Sequence, residues 1–293
     1  MGKVLTLPDH GRLLVCTDLQ GNLEDFEVMA EHFRRAAAEE PETHLVFSGD
    51  LVHGPQRPPD DWEPWLGDWY EDDSIGVFEA FCELAREFPG RAHALIGNHE
   101  HGHVGGVHTA KFFPDEVDAL EARMSPAVLE RFHAFCSALP LVAVSPAGVV
   151  VTHAAPATAL TGPEELEAVD YRVFTAPPET LEEVYAVPIL GPLLWARMCS
   201  KAHARGFLAA LLGRPDGFVV HGHDVVHEGW EVGANGAVIC LSTSFGLFHP
   251  HKRYLDVDLS RYWVSAHQLR DGVELRPLYP DAPPRAVWGR DYV

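Results

Sequence analysis

Five short polar clusters carry the residue types that divalent metals and phosphates require. They are Asp18 and Gln20 in TDLQGN, Asp50 in GDLVHG, Asn98 and His99 in GNHE, His153 in VVTHA, and His221 and His223 in VVHGH. Carboxylates, amide oxygens and imidazoles together suit borderline ions such as Mn²⁺, Fe²⁺ or Zn²⁺. Each cluster follows an apolar run short enough for one strand, and in α/β sheets ligands bind beyond the carboxyl ends of strands. Glycines at 21, 49, 97 and 222 let the chain turn sharply there, so that these side chains can point at one spot. A single such Asp or His would say little; five clusters in order predict one shared site.

The elements that must hold these clusters alternate between strand and helix. Apolar runs predict strands over 13–17, 44–47 and 93–96, and a helix over 24–39 has Phe26, Met29, Ala30 and Phe33 on one face. Ser125-Pro126 reads as the start of a helix reaching about 139, followed by a hairpin over 141–144 and 149–151. A helix over 200–212 should stop at Gly213, and a strand over 218–220 leads into His221. Residues 230–278 read as antiparallel strands with a turn at Ala234-Asn235-Gly236.

The 293 residues hold 22 Lys and Arg against 43 Asp and Glu, a net charge of −21. With 46% hydrophobic residues the chain can bury a core. The acidity repels nucleic acid and anionic bilayers, so neither is expected as a partner. Five scattered cysteines with no C-x-x-C pair fit a reducing compartment, and the N-terminus has no signal-peptide h-region. The apolar stretch 186–196 is about half a membrane span and contains Pro188 and Pro192. The expectation is a soluble, cytoplasmic protein with one domain over 1–293. It comprises core motifs over 13–260, an acidic-aromatic insert over about 55–73, and C-terminal strands and tail over 261–293.

Taken in order, the five motifs resemble those of calcineurin-like metallophosphoesterases. Ala138-Leu139-Pro140-Leu141, Leu193-Leu194-Trp195 and the segment from Val225 to Trp230 resemble the Ser/Thr phosphoprotein phosphatase branch in particular. DLQG and GDLV-x-GP are also similar to symmetric diadenosine tetraphosphatases. The resemblance implies an α-β sandwich of two mixed β-sheets flanked by helices, with the site at one end. It implies two divalent ions, Mn²⁺ first and Fe, Zn, Co or Mg as alternatives, bridged by Asp50. Asp18 and Gln20 would hold the first ion; Asn98, His153 and His223 would hold the second. A hydroxide between the ions would attack phosphorus, and His99 would protonate the leaving oxygen.

Departures from the family pattern concern the substrate. Gln20 stands where His is usual, and His53 stands where an Asp orients the catalytic histidine. The phosphate-gripping Arg of that motif is missing. Arg57 and Arg205 are the candidate replacements, while His221 occupies a usual Arg position and Phe245 a usual Tyr position. The expected substrate is a phosphomonoester, either phospho-Ser/Thr in a protein or a smaller analogue. The alternatives are a symmetric dinucleoside polyphosphate hydrolase and a metal-binding regulatory module that has lost catalysis. The insert reads equally as a substrate subsite or as a loop packed on its own tryptophans. His101, His103 and His108 read as solvated loop residues.

Overall fold

Strand β2 (Arg12–Cys16) shows why the chain folds as it does. Leu13 and Val15 are fully buried on one face, and Leu14 and Cys16 are buried on the other. A strand covered on both faces needs apolar residues at every position, and such strands belong inside layered α/β folds. Strand β3 (Thr43–Phe47) repeats the pattern, with Val46 facing one way and Leu45 and Phe47 the other.

The computed structural model describes residues 2–173, 178 and 180–289. Besides β2 and β3 it contains β1 (Val4–Thr6), β4 (Ala92–Ala94), β5 (Val142–Ser145), β6 (Val149–Thr152) and β7 (Phe218–His221). Strands β8 (Trp230–Gly233), β9 (Val238–Leu241), β10 (Arg253–Asp258) and β11 (Leu275–Pro277) complete the set. One sheet has the order β1-β5-β6-β7-β9-β8 and the other β11-β10-β2-β3-β4, and each mixes parallel and antiparallel pairs. The sheets face each other across a core that includes Leu13, Val15, Val46, Val149, Val151, Phe218, Val220 and Ile239. Outward-facing residues of the same strands pack under helices, with Phe26, Met29 and Phe33 of Leu23–Glu39 against the first sheet pair.

Several predicted ends are met by their capping residues. The Ser125 side chain accepts from the Val128 amide ahead of Pro126–Ala138, and Ser200 accepts from the His203 amide ahead of Lys201–Leu212. Gly213 ends the latter helix at φ 71°, the left-handed conformation that favours glycine. The reading of 230–278 as consecutive antiparallel strands needs correction. β8 and β9 pair antiparallel as expected, but β9 also runs parallel to β7, while β10 crosses to the other sheet beside β2. Between β10 and β11 lies a stretch of turns that includes Ala266–Gln268, where Trp263 plugs the sandwich interior instead of extending a strand. Among the described residues no helix is long and apolar enough to cross a membrane. All five cysteines are free thiols.

Candidate metal centre

Parallel pairing of β2 with β3 and of β6 with β7 brings their carboxyl ends to one edge of the sandwich. Asp18 follows β2, Asp50 follows β3, His153 follows β6, and His221 and His223 lie at the end of β7. Beyond each strand the backbone turns through a conformation that L-residues rarely adopt. Asp18 and Gln20 have φ 43°, Asp50 55°, His53 70° and His223 65°; these five are among eight positive-φ non-glycine residues described. Such backbone persists only where surrounding contacts over-determine it. At Asp50 those contacts come from Glu100, whose fully buried carboxylate accepts the amides of Gly97, Asp50 and Leu51 at 2.8–2.9 Å. Gly97 is required here, because a Cβ would collide with the Asp50 carboxylate.

The donor set converges on one point. Asn98 Oδ1 lies 2.9 Å from both His153 Nε2 and His223 Nδ1, which are 3.2 Å apart. Asp50 Oδ1 lies 3.4 Å from His153 Nε2. His153 donates its other nitrogen, Nδ1, to the Ser48 carbonyl at 3.1 Å, and His223 bonds the Trp195 backbone carbonyl. Neutral imidazoles anchored in this way turn their lone pairs inward, toward the Asn98 oxygen and the Asp50 carboxylate. Four acceptors around one point fit a cation, and the outward hydrogen bonds are the usual support for metal-binding imidazoles. A second orphan acceptor points the same way: Gln20 Oε1 is buried without a hydrogen-bond partner. A small cavity of about 50 Å³ lined by Asp18, Gln20, His223 and Thr243 adjoins it.

Electrostatics agree with this reading. Burial pushes Asp18 up to about 7 and Asp50 well above the carboxylate range, with Glu100 adding to the latter. Burial also holds His153 and His223 below the ordinary imidazole value, so both stay neutral, as metal ligands must be. Divalent charge would reverse the carboxylate shifts.

His99 sits beside this cluster with its Nε2 3.8 Å from Asp50 Oδ2 and its Nδ1 4.0 Å from Glu116 Oε2. It lines a cleft of about 360 Å³ together with Gln20, Asp50, Asn98, Lys111 and Arg197. Lys111 and Arg197 are the cations that sequence reasoning missed. Lys111 Nζ lies 3.8 Å over the Phe245 ring, and Arg197 pairs with Asp224. Arg197 follows the Leu193-Leu194-Trp195 motif by two residues, which was the available signal; Lys111 had none.

Four expected substrate residues lie elsewhere. Arg57 pairs with Glu63 at 3.2 Å and lines a separate cavity with Trp69 and Arg123, because the insert carries it away from the sheet edge. Arg205 donates to the carbonyls of Pro215 and Gly217, at the opposite end of β7 from the site. His221 is buried and bonded to the Gly222 carbonyl, since it is still part of the strand. His53 does reach the site, not as a substrate group but through the His99 ring, with Nδ1 to Nδ1 at 2.8 Å. His101 and His103 are buried instead of solvated, because Asn98–Gly102 winds into a helical turn that folds them inward. His108 stays outside and pairs with Asp115.

The insert packs on itself. Leu66, Tyr70 and Phe245 form a small apolar cluster with Trp62 and Trp65 around it, and none of the three insert tryptophans lines the cleft. Its link to the site is Tyr70, whose hydroxyl donates to the Gln20 carbonyl at 2.9 Å. Asp72 is buried and accepts from Ser74, Gln56, Arg123 and the Gly54 amide.

The calcineurin-like phosphoesterase family model matches residues 11–270. No curated protein matches the chain by sequence. Among solved structures, a protein serine/threonine phosphatase from Saccharomyces cerevisiae, described as similar to human phosphatase PP5, matches with a TM-score of 0.59. It is 17% identical over 88% of this chain and 77% of its own. A cold-active protein tyrosine phosphatase from a psychrophilic Shewanella species has a TM-score of 0.50 at 14% identity, over 88% and 79% of the two chains. At these identities the likeness establishes the fold: two mixed sheets flanked by helices.

Proposed function

The chain belongs to the calcineurin-like phosphoesterase family and is a metal-dependent phosphoesterase; within that class we propose that it hydrolyses a phosphomonoester, phospho-Ser/Thr in a protein or a smaller analogue. The observation that carries this reading is the placement of Lys111 and Arg197 in the same cleft as Asp50, Asn98 and His99. Two cations across a narrow cleft from the acceptor cluster suit one terminal phosphoryl group.

The family typically binds two divalent ions, and the donor atoms of this chain fit them. Asp18, Gln20 and Asp50 would hold the first; Asp50, Asn98, His153 and His223 would hold the second, with Mn²⁺ the favoured occupant. Ions held there would supply charge neutralisation at phosphorus and an activated water as nucleophile. The chain's own residues do the rest. Lys111 and Arg197 bind and orient the phosphoryl oxygens, Glu100 fixes the backbone that aims Asp50, and His99 holds a proton at Nε2 for the leaving oxygen. Asp50 and Glu116, on either side of the imidazole, favour that charged form.

A dinucleoside polyphosphate is the second substrate reading, motivated by Gln20. It lacks the stacking surface that the insert tryptophans would have provided, because they face away from the cleft. Steady-state turnover of a phosphopeptide and of diadenosine tetraphosphate at fixed Mn²⁺ separates the two, and turnover of the dinucleotide alone overturns the first. Bound metal by elemental analysis with no hydrolysis of p-nitrophenyl phosphate under any divalent ion would identify a non-catalytic module instead.

A further inference from the structure

A continuous hydrogen-bonded chain runs from the His99 ring to the protein surface. His99 Nδ1 lies 2.8 Å from His53 Nδ1, and His53 Nε2 lies 2.9 Å from His103 Nε2. His103 Nδ1 then meets Glu121 Oε1 at 2.8 Å, and His133 Nε2 meets the same oxygen at 2.7 Å. Side-chain exposure is 5% at His99 and 0% at His103, then rises to 24% at Glu121 and 41% at His133.

With one proton on each ring, this chain has a single direction that satisfies every member. A carboxylate only accepts. His103 therefore donates through Nδ1 and accepts at Nε2. His53 must donate through Nε2 and accept at Nδ1, which obliges His99 to donate through Nδ1. The nitrogen of His99 left toward the cleft is Nε2, the one facing Asp50. Two further features hold the chain in place. His53 has φ 70°, and its amide donates to Ser74 Oγ at 2.9 Å, which aims its ring between the other two. The ring of Phe132 stands edge-on to His103 at 4.8 Å and walls it off from water. Other groups face His99 Nδ1, namely Thr109 Oγ1 at 3.4 Å and Glu116 Oε2 at 4.0 Å. The carboxylate lies beyond hydrogen-bond distance, so the hydrogen-bonded anchor is Glu121.

We propose that Glu121, acting through His103 and His53, is a positioning residue for His99: it sets the tautomer and ring plane that present Nε2 to the leaving oxygen. This rests on the reading of His99 as proton donor. The test compares p-nitrophenyl phosphate, a good leaving group, with phenyl phosphate, a poor one, at saturating Mn²⁺. His99→Asn should lower kcat on phenyl phosphate about 10²-fold more than on p-nitrophenyl phosphate. Glu121→Gln, whose amide can donate or accept and so no longer sets a direction, should lower kcat on phenyl phosphate about tenfold, with a smaller loss on the nitrophenyl ester and KM unchanged.

The double variant should be no slower than His99→Asn alone. Equal loss on both esters, or a loss that multiplies with that of His99→Asn, would show a merely structural role and overturn the proposal. A leaving-group-selective His99→Asn beside an inert Glu121→Gln overturns only the role of Glu121. A His99→Asn indifferent to leaving group overturns the donor reading and the proposal together. Should Glu121→Gln fail to fold by circular dichroism, His103→Gln breaks the same chain and must show the same selectivity.

Discussion

Around Asp25 every acceptor meets a donor. Its buried carboxylate receives the Lys252 ammonium at 2.6 Å, the Tyr279 hydroxyl at 2.7 Å, the Asn22 amide at 2.9 Å and the Ser244 hydroxyl. Around Asp50 the inward neighbours are acceptors: Asn98 Oδ1 and the lone pairs of His153 and His223, with Gln20 Oε1 unpartnered nearby. Both clusters are buried near the ends of the same strands. One brings its own cation and is finished when the chain folds; the other has left its positive charge to be supplied. A buried carboxylate with a full set of donors is a structural device, whereas converging acceptors without one are a binding device.

The largest effect should separate the two clusters by function. Asp50→Asn is expected to lower kcat on p-nitrophenyl phosphate by about 10³-fold or more at saturating Mn²⁺. It should leave the melting temperature of chelator-stripped protein unchanged or higher, because it removes an uncompensated buried charge. Wild-type turnover in this variant would remove Asp50 from the centre. The converse change is Lys252→Met, which leaves Asp25 buried and unpaired. It should cost about 3–5 kcal/mol in urea unfolding, while Mn²⁺ affinity by calorimetry stays as in the wild type. A stable variant would mean that the Asp25 cluster is not the self-contained device described here.

Gln20→His makes a smaller change, exchanging a neutral amide oxygen for an imidazole. Mn²⁺ should activate at a concentration lower by about tenfold, and an unchanged Mn²⁺ dependence would remove Gln20 from the ligand set. The smallest effect tests a polar pair far from both clusters. His93 stacks on His44 over β3 and β4, and burial, with His44 adding to it, lowers its pKa to about 4. The unfolded chain takes up this proton near 6.5, before the folded one does, so stability should fall as pH drops from 6.5 toward 4. His93→Asn should flatten part of that slope in thermal melts, and an identical slope would show that His93 is not its source.

The acceptor cluster was legible in the sequence because its grammar is local. A run such as Leu45-Val46-Phe47 marks a buried strand, and Gly49-Asp50 directly after it marks a turn at the carboxyl end. Parallel pairing then brings these ends together whatever lies between. The substrate groups have no such grammar. Arg57 is near Asp50 in sequence and far from the cleft, while Lys111 arrives on a loop after the helical turn of Asn98–Gly102 and Arg197 from beyond Leu190–Trp195. The burial of His101 and His103 was hidden by their glycine neighbours, which look like an exposed loop and instead let the chain coil tightly beneath the site. Likewise the insert's acidity suggested a surface, yet Asp72 is nearly buried and ties Gly54 to Ser74.

The left-handed backbone at Asp18, Gln20, Asp50, His53 and His223 has a consequence for anyone who would transplant this site. Copying the side chains onto the ends of ordinary strands in another scaffold would aim them differently, because half of their direction is set by φ and not by rotamer. A graft would have to import the turns, and with them Glu100, Ser74 and Tyr70, which hold the turns in place from outside the ligand set. The transferable unit is thus a set of bent peptides and their clamps, a good deal larger than the atoms that would touch an ion.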